Sequence, residues 1–429
     1  MEPSVSRRTL LGTSLLTPAL VGCTGPVAPD PAGAPSDAES AAAFDPQDWD
    51  SVRAQFPLQA DLLHFAAFQL AAHPRPVRTA IDRHRAGLDA DTTGYLDNDV
   101  DLEEAARAAA ADYLGSSAKP DDVALTDSTT MGMGLLCAGL RLGRGHDVLT
   151  SEHDFFGTYD ALGKLASRTG ASVRRVRLYD EPATANAGDI VTRLRDALRP
   201  RTRLVVLTWV HSSTGVRLPI SRISAMLAER NAGRAPAERT LLLVDGIHGF
   251  GAVDQDVTDL GCDFFTSGIH KWMFGPRGTG LLWGRAWDAA APVLPSFSMP
   301  EGPGRLATPG GYHSFEHRWA VPEAFTFHRA IGRARIARRI TEQATQLKAG
   351  LAEIPAVTVI TPADPELSAG LVMCSHDRLA PFEAVRRLRA EHRIVASITP
   401  YDDPYLRLAP SIVTTPEEVD TVLTAMAAL

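Results

Sequence analysis

The chain has 429 residues, 45% hydrophobic and 22% charged, enough to bury one large core and a second, smaller one. Its net charge of −8 comes with no lysine- or arginine-rich block long enough to follow a phosphate backbone, which argues against nucleic acid as a partner. There are four cysteines, and Cys137, Cys262 and Cys374 sit in apolar contexts without metal-ligand spacing, so neither a disulfide framework nor a metal site is expected.

The first residues read as address rather than fold. Ser6-Arg7-Arg8-Thr9-Leu10-Leu11 matches a twin-arginine signal, and the apolar run over 10–21 is too short to span a bilayer. It ends in Leu20-Val21-Gly22-Cys23, which has the form of a lipoprotein box. Residues 1–23 are therefore expected to export the protein to the periplasm or cell surface. Lipidation of Cys23 would be its sole membrane contact. Residues 24–44, rich in Pro, Ala, Gly and Ser, read as a disordered tether.

Residues 45–321 form the expected large domain. Short β-type runs at 123–126, 147–150, 172–176, 204–208, 241–244, 262–266 and 280–283 alternate with helical patterns at 130–142, 159–169, 189–198 and 220–231. Near-continuous apolar strands in such alternation predict an α/β architecture: a mainly parallel, seven-stranded sheet covered on both faces. Residues 322–429 predict a smaller α+β domain. It comprises one long helix over 323–351, strands near 357–360, 371–374 and 405–408, and a helix over 381–392. Thr415, Pro416, Glu417 and Glu418 cap and start a final helix.

Ligands of an open parallel sheet collect at the carboxyl ends of its strands, and three motifs fall there. Ser128 and Thr129 follow the first strand and open a helix, where free N–H groups and hydroxyls make either a simple cap or a phosphate cradle. Asp245, with His248 one turn on, follows the fifth strand; a buried carboxylate there calls for a cationic partner. Lys271 follows the sixth, in a glycine-lined turn, and is one of only four lysines among 43 basic residues. Arginine stays protonated, whereas a partly desolvated lysine can lose its proton and attack a carbonyl carbon. Amine, carboxylate and phosphate cradle converging on one edge match pyridoxal 5′-phosphate: aldehyde, ring nitrogen and phosphate respectively.

The segments Val244-Asp-Gly-Ile-His248 and His270-Lys-Trp-Met-Phe-Gly-Pro-Arg-Gly-Thr-Gly280 resemble those of class V aminotransferase-fold enzymes of fold type I. That group contains cysteine desulfurases, kynureninases and isopenicillin N epimerase-like proteins, and the resemblance runs from about residue 62 to the C-terminus. It implies that Lys271 is the Schiff-base lysine, Asp245 the partner of the ring nitrogen and His248 a neighbour of the phenolic oxygen. Ser128 and Thr129 would hold the phosphate, with Ser267 and His270 as further contacts. In Ser151-Glu-His-Asp-Phe-Phe-Gly157 it implies a ring stacked on the cofactor, for which Phe156 is the choice and His153 the alternative. Ser212 stands where relatives usually carry an asparagine near the cofactor's oxygen, which implies a cofactor contact, and Arg407 where they grip the substrate's α-carboxylate. The loop over 308–319 resembles one that reaches a neighbouring subunit, so a homodimer is expected.

The chemistry so implied acts on an amino acid or related amine, with Lys271 removing the α-proton. Returning the proton to the opposite face gives epimerisation, returning it to the cofactor gives transamination, and losing a β-substituent gives C–S lyase activity. No cysteine occurs between 393 and 405, which argues against persulfide chemistry. An isopenicillin N epimerase-like activity is the expectation, with aminotransferase or lyase as the alternative and an exported, non-catalytic binding protein as the rival from another class. His211, Tyr312 and His313 all remain open as the second acid.

Overall fold

The computed structural model describes residues 44–297 and 302–429. The export signal, Cys23 and the tether up to residue 43 lie outside the described residues. Seven strands form the main sheet: β1 (Val123–Thr126), β2 (Asp147–Ser151), β3 (Ser172–Val176), β4 (Thr202–Thr208), β5 (Leu241–Asp245), β6 (Phe264–Gly268) and β7 (Gly280–Gly284). Their spatial order is β1-β7-β6-β5-β4-β2-β3. Neighbours from β6 through β5, β4 and β2 to β3 are parallel, and β7 runs antiparallel to both β6 and β1.

Apolar side chains leave both faces of this sheet. Val205, Leu207 and Val244 enter one buried cluster, while Leu204, Val206 and Leu243 enter another on the opposite side. Alternation along the strand thus feeds two cores, which is why these runs read as continuously hydrophobic.

The small sheet has the order Ser397–Ile398 (β10), Leu406–Leu408 (β11), Val372–His376 (β9) and Val357–Val359 (β8), antiparallel throughout. Its core joins Leu347 and Leu351 to Val372, Leu406, Val422 and Met426. The helix expected over 323–351 is interrupted: Val321–Ile331 ends and Arg333–Ala352 begins at Gly332, whose φ of 94° cannot continue an α-helix. The first helix packs its Phe325 and Phe327 in the large core, while the second turns Ala344, Leu347 and Leu351 to the small one.

The segment preceding the main sheet links the two regions. Leu63–His64 pairs in parallel with Ile394–Val395, and the Phe65 carbonyl accepts from the Ala409 N–H at 2.8 Å. Six residues on, the Ala71 N–H donates to the His270 carbonyl at 3.0 Å, next to Lys271.

Candidate active site

A cavity of about 280 Å³ opens at the carboxyl ends of β1, β4, β5 and β6. Ser128, Thr129, Ser212, Asp245, His248, His270, Lys271 and Arg407 all line it. Of the residues expected at the site, Ser267 and Phe156 do not. Ser267 is fully buried, and its hydroxyl donates to the Gly268 carbonyl at 3.0 Å. Phe156 is 55% exposed, and the ring on the cavity wall is that of Phe155. The correction has a backbone cause: Phe155 is the extended residue preceding helix Phe156–Thr169, and Phe156, first in the helix, turns outward. His153, the alternative, stacks on Tyr179 with ring centroids 3.8 Å apart, away from the cavity lining.

Ser128 caps helix Thr129–Gly139, its hydroxyl accepting from the Met131 N–H at 3.1 Å. The first-turn N–H groups have no intrahelical acceptor and carry the positive end of the helix dipole, a site suited to an anion. The Thr129 hydroxyl accepts from the Gly268 N–H at 2.8 Å, tying this helix start to β6. Gly280 permits that approach, since a Cβ there would sit 3.0 Å from the Ser128 backbone.

Asp245, the last residue of β5, is 4% exposed, and the Ile247 N–H donates to its Oδ1 at 3.0 Å. Burial raises its carboxyl to about 6, against the opposing pull of Lys271. Lys271 follows β6 in a tight turn: its carbonyl accepts from the Phe274 N–H at 3.0 Å, and buried Phe274 holds a left-handed φ of 53°. Burial lowers the Lys271 amine to about 8; Arg407 pushes the same way and Asp245 opposes it. No ion pair joins Lys271 to Asp245 among the described residues. His248 is kept neutral by burial, with the Trp272 indole N–H donating to its Nδ1 at 3.4 Å.

Arg407 comes from β11 of the small sheet and is 5% exposed. Its Nε donates to the Ser397 hydroxyl at 3.0 Å, and its guanidinium lies 4.6 Å from the centroid of the Phe68 ring. No carboxylate, Asp402 and Asp403 included, pairs with it among the described residues, which leaves its terminal nitrogens for an incoming anion. Burial lowers even this guanidinium to about 10.

Sequence reasoning missed several residues here. Gln69, Phe155, Thr158, Thr208 and Pro400 also line the cavity, and Phe68 braces Arg407 from below. Thr208 ends β4, so the strand-end rule that found Asp245 could have found it. Of the three open second acids, His211 is fully buried outside the cavity lining, while Tyr312 and His313 border a separate cavity with Glu103 and Arg318.

The residues fit pyridoxal 5′-phosphate on two observations. A buried carboxylate with a single donor among the described residues requires a cationic partner, such as a protonated ring nitrogen. The Thr208 hydroxyl, buried at the cavity, has no hydrogen-bond partner among the described residues.

Comparison with known proteins agrees with this geometry. The family model for class V aminotransferases matches residues 98–397. Isopenicillin N epimerase of Streptomyces clavuligerus is 30% identical over 89% of this chain and 98% of its own length. The epimerase of Amycolatopsis lactamdurans is 27% identical over 88% and 98%. A solved structure of a C-DES variant with glycine covalently linked to its PLP cofactor superposes with a TM-score of 0.79 at 25% identity, covering 87% of this chain and 98% of that one. The chain belongs to the class V aminotransferase family. It is a pyridoxal 5′-phosphate-dependent enzyme of the corresponding α/β fold.

Proposed function

We propose that this enzyme is an isopenicillin N epimerase-like racemase or epimerase acting on an amino acid or a compound that ends in one. The observation that carries the proposal is the pairing, in one cavity, of a lysine amine lowered to about 8 with a buried arginine that has no carboxylate partner among the described residues. Near-complete coverage of two epimerases supports the same reading.

Bound pyridoxal 5′-phosphate supplies an aldehyde for an amine and a ring that takes up the electron pair left at the substrate's Cα. Lys271 would hold its aldehyde, Asp245 its ring nitrogen, and Ser128, Thr129 and the helix start its phosphate. Asp245 keeps the ring nitrogen protonated, because its own buried charge is costly without that cation. Arg407, its Nε fixed by Ser397, takes the substrate carboxylate through its two terminal nitrogens and so orients the Cα–H bond. With its amine lowered to about 8, roughly a tenth of Lys271 is neutral at pH 7, a useful supply of base.

Persulfide chemistry has no support in this site. Cys137, Cys262 and Cys374 are buried outside the cavity lining, and burial pushes each thiol up to about 12.

The test is to incubate the purified holoenzyme with L- and D-amino acids in D2O, following enantiomer composition, keto-acid release and ammonia. Interconversion of enantiomers is the expected result; keto acid or ammonia without inversion would replace the epimerase reading with a transaminase or a lyase. Arg407→Ala should raise KM about 100-fold while weakening cofactor binding far less, and equal losses would remove its carboxylate role.

The homodimer belongs to the same reading. Tyr312 and Val100, 84% and 65% exposed, border the second cavity and offer apolar surface to another copy. Sedimentation at micromolar concentration should give a dimer, and a monomer would refute it.

A further inference from the structure

Epimerisation needs a second proton-transfer group, and the three side chains the sequence offers lie outside the cavity lining. A different pair is placed for it. Ser212 follows β4 and Lys271 follows β6, while β5, which carries Asp245, runs between those strands. Ser212 and Lys271 therefore follow the two strands that flank the one ending in Asp245, and both line the cavity. Ser212 is buried and its hydroxyl meets the Tyr401 hydroxyl at 2.6 Å. Tyr401 comes from the loop between β10 and β11, next to cavity-lining Pro400, so this contact joins the small sheet to the large domain across the site.

We propose, resting on the epimerase reading, that Ser212 and Tyr401 form a two-hydroxyl relay that returns a proton to the substrate's Cα on the side away from Lys271. Lys271 breaks the Cα–H bond and keeps that proton on Nζ. The electron pair at Cα then takes the hydroxyl proton of Ser212 as Ser212 Oγ takes the proton of Tyr401. One C–H and one O–H bond form, two O–H bonds break, and the negative charge comes to rest on the Tyr401 phenolate. Burial pushes the Tyr401 phenol up to about 12 against the opposing pull of its Ser212 hydrogen bond and of Arg407, so water promptly resets the phenolate and takes the proton from Lys271. In the relay Ser212 meets the substrate, and Tyr401 acts through it.

The relay predicts that the two faces of the substrate respond differently to mutation. Wild-type holoenzyme in D2O, given each of the chiral protein amino acids as its L-enantiomer, should yield deuterated D-enantiomer from at least one. With that amino acid, Tyr401→Phe and Ser212→Ala should each slow inversion about 100-fold, while deuterium entry into the recovered L-enantiomer falls less than about fivefold. Ser212→Thr, which keeps the hydroxyl, should recover inversion to within about tenfold of wild type. Pyridoxal 5′-phosphate titrated into the apoproteins, read by tryptophan fluorescence, should bind within about threefold of wild type. Inversion and exchange falling together, inversion surviving in Tyr401→Phe, or a tenfold loss of cofactor affinity would each overturn the relay. A wild type that exchanges its α-hydrogen without ever inverting would instead remove the epimerase reading and the relay with it.

Discussion

Two buried aspartates at opposite ends of the main sheet meet opposite fates. Asp147 opens β2 at the amino edge: Arg174 donates to it through Nε at 2.8 Å and a terminal nitrogen at 2.6 Å, and the hydroxyls of Thr202 and Ser172 donate at 2.7 and 3.1 Å. Burial alone would raise its carboxyl, but these bonds hold it below the usual range. Asp245 closes β5 at the carboxyl edge with one backbone donor among the described residues and is raised to about 6. A carboxylate that serves the fold is given its full set of donors, whereas one that serves a ligand is left short of them. The same contrast separates buried Arg318, paired with Glu103 at 2.7 Å, from Arg407, which has no acidic partner among the described residues.

The comparison can be broken most forcefully at the amino edge. Asp147→Ala leaves Arg174 and two hydroxyls without their acceptor, and urea denaturation should show a loss of about 3 kcal/mol or more. A loss under about 1 kcal/mol would mean that this carboxylate is not structural.

Asp245→Asn should act with the opposite sign on the apoprotein, stabilising it on the order of 2 kcal/mol at pH 7 while reducing turnover. The folded value near 6 lies above the ordinary 3.8, so the ionised form is penalised in the fold. That penalty is complete above about pH 6, fades as pH falls and is absent below about 4. Apoprotein melts at pH 7.5 and pH 4 should therefore differ between variant and wild type only at the higher pH. A destabilised variant at pH 7.5 would show that Asp245 holds the fold together, which would dissolve the contrast with Asp147.

Much of this was legible in the residues. Strand runs of Val, Leu and Phe with glycine and polar breaks place β1 to β7 to within about two residues, because apolar continuity is the direct signature of a sheet buried on both faces. Asp245, Lys271 and Ser128 stood out because strand ends collect function, and each is at or just past a strand end. The choice of Phe156 missed its neighbour Phe155, since two identical adjacent residues differ only in which one the helix start turns inward. The break at Gly332 was hidden within a helical pattern that continues on both sides of it.

Local order, then, was set by the sequence itself: which runs are strands, where helices start, and which reactive side chains fall at strand ends. These follow from side-chain periodicity and backbone preference, which act over a few residues. Only the tertiary structure brought Arg407, Phe68 and Tyr401 to Lys271, because their convergence depends on how the small sheet packs against the large one. Contacts between residues far apart in the chain, such as the 2.6 Å meeting of Ser212 and Tyr401, leave no periodic trace in it.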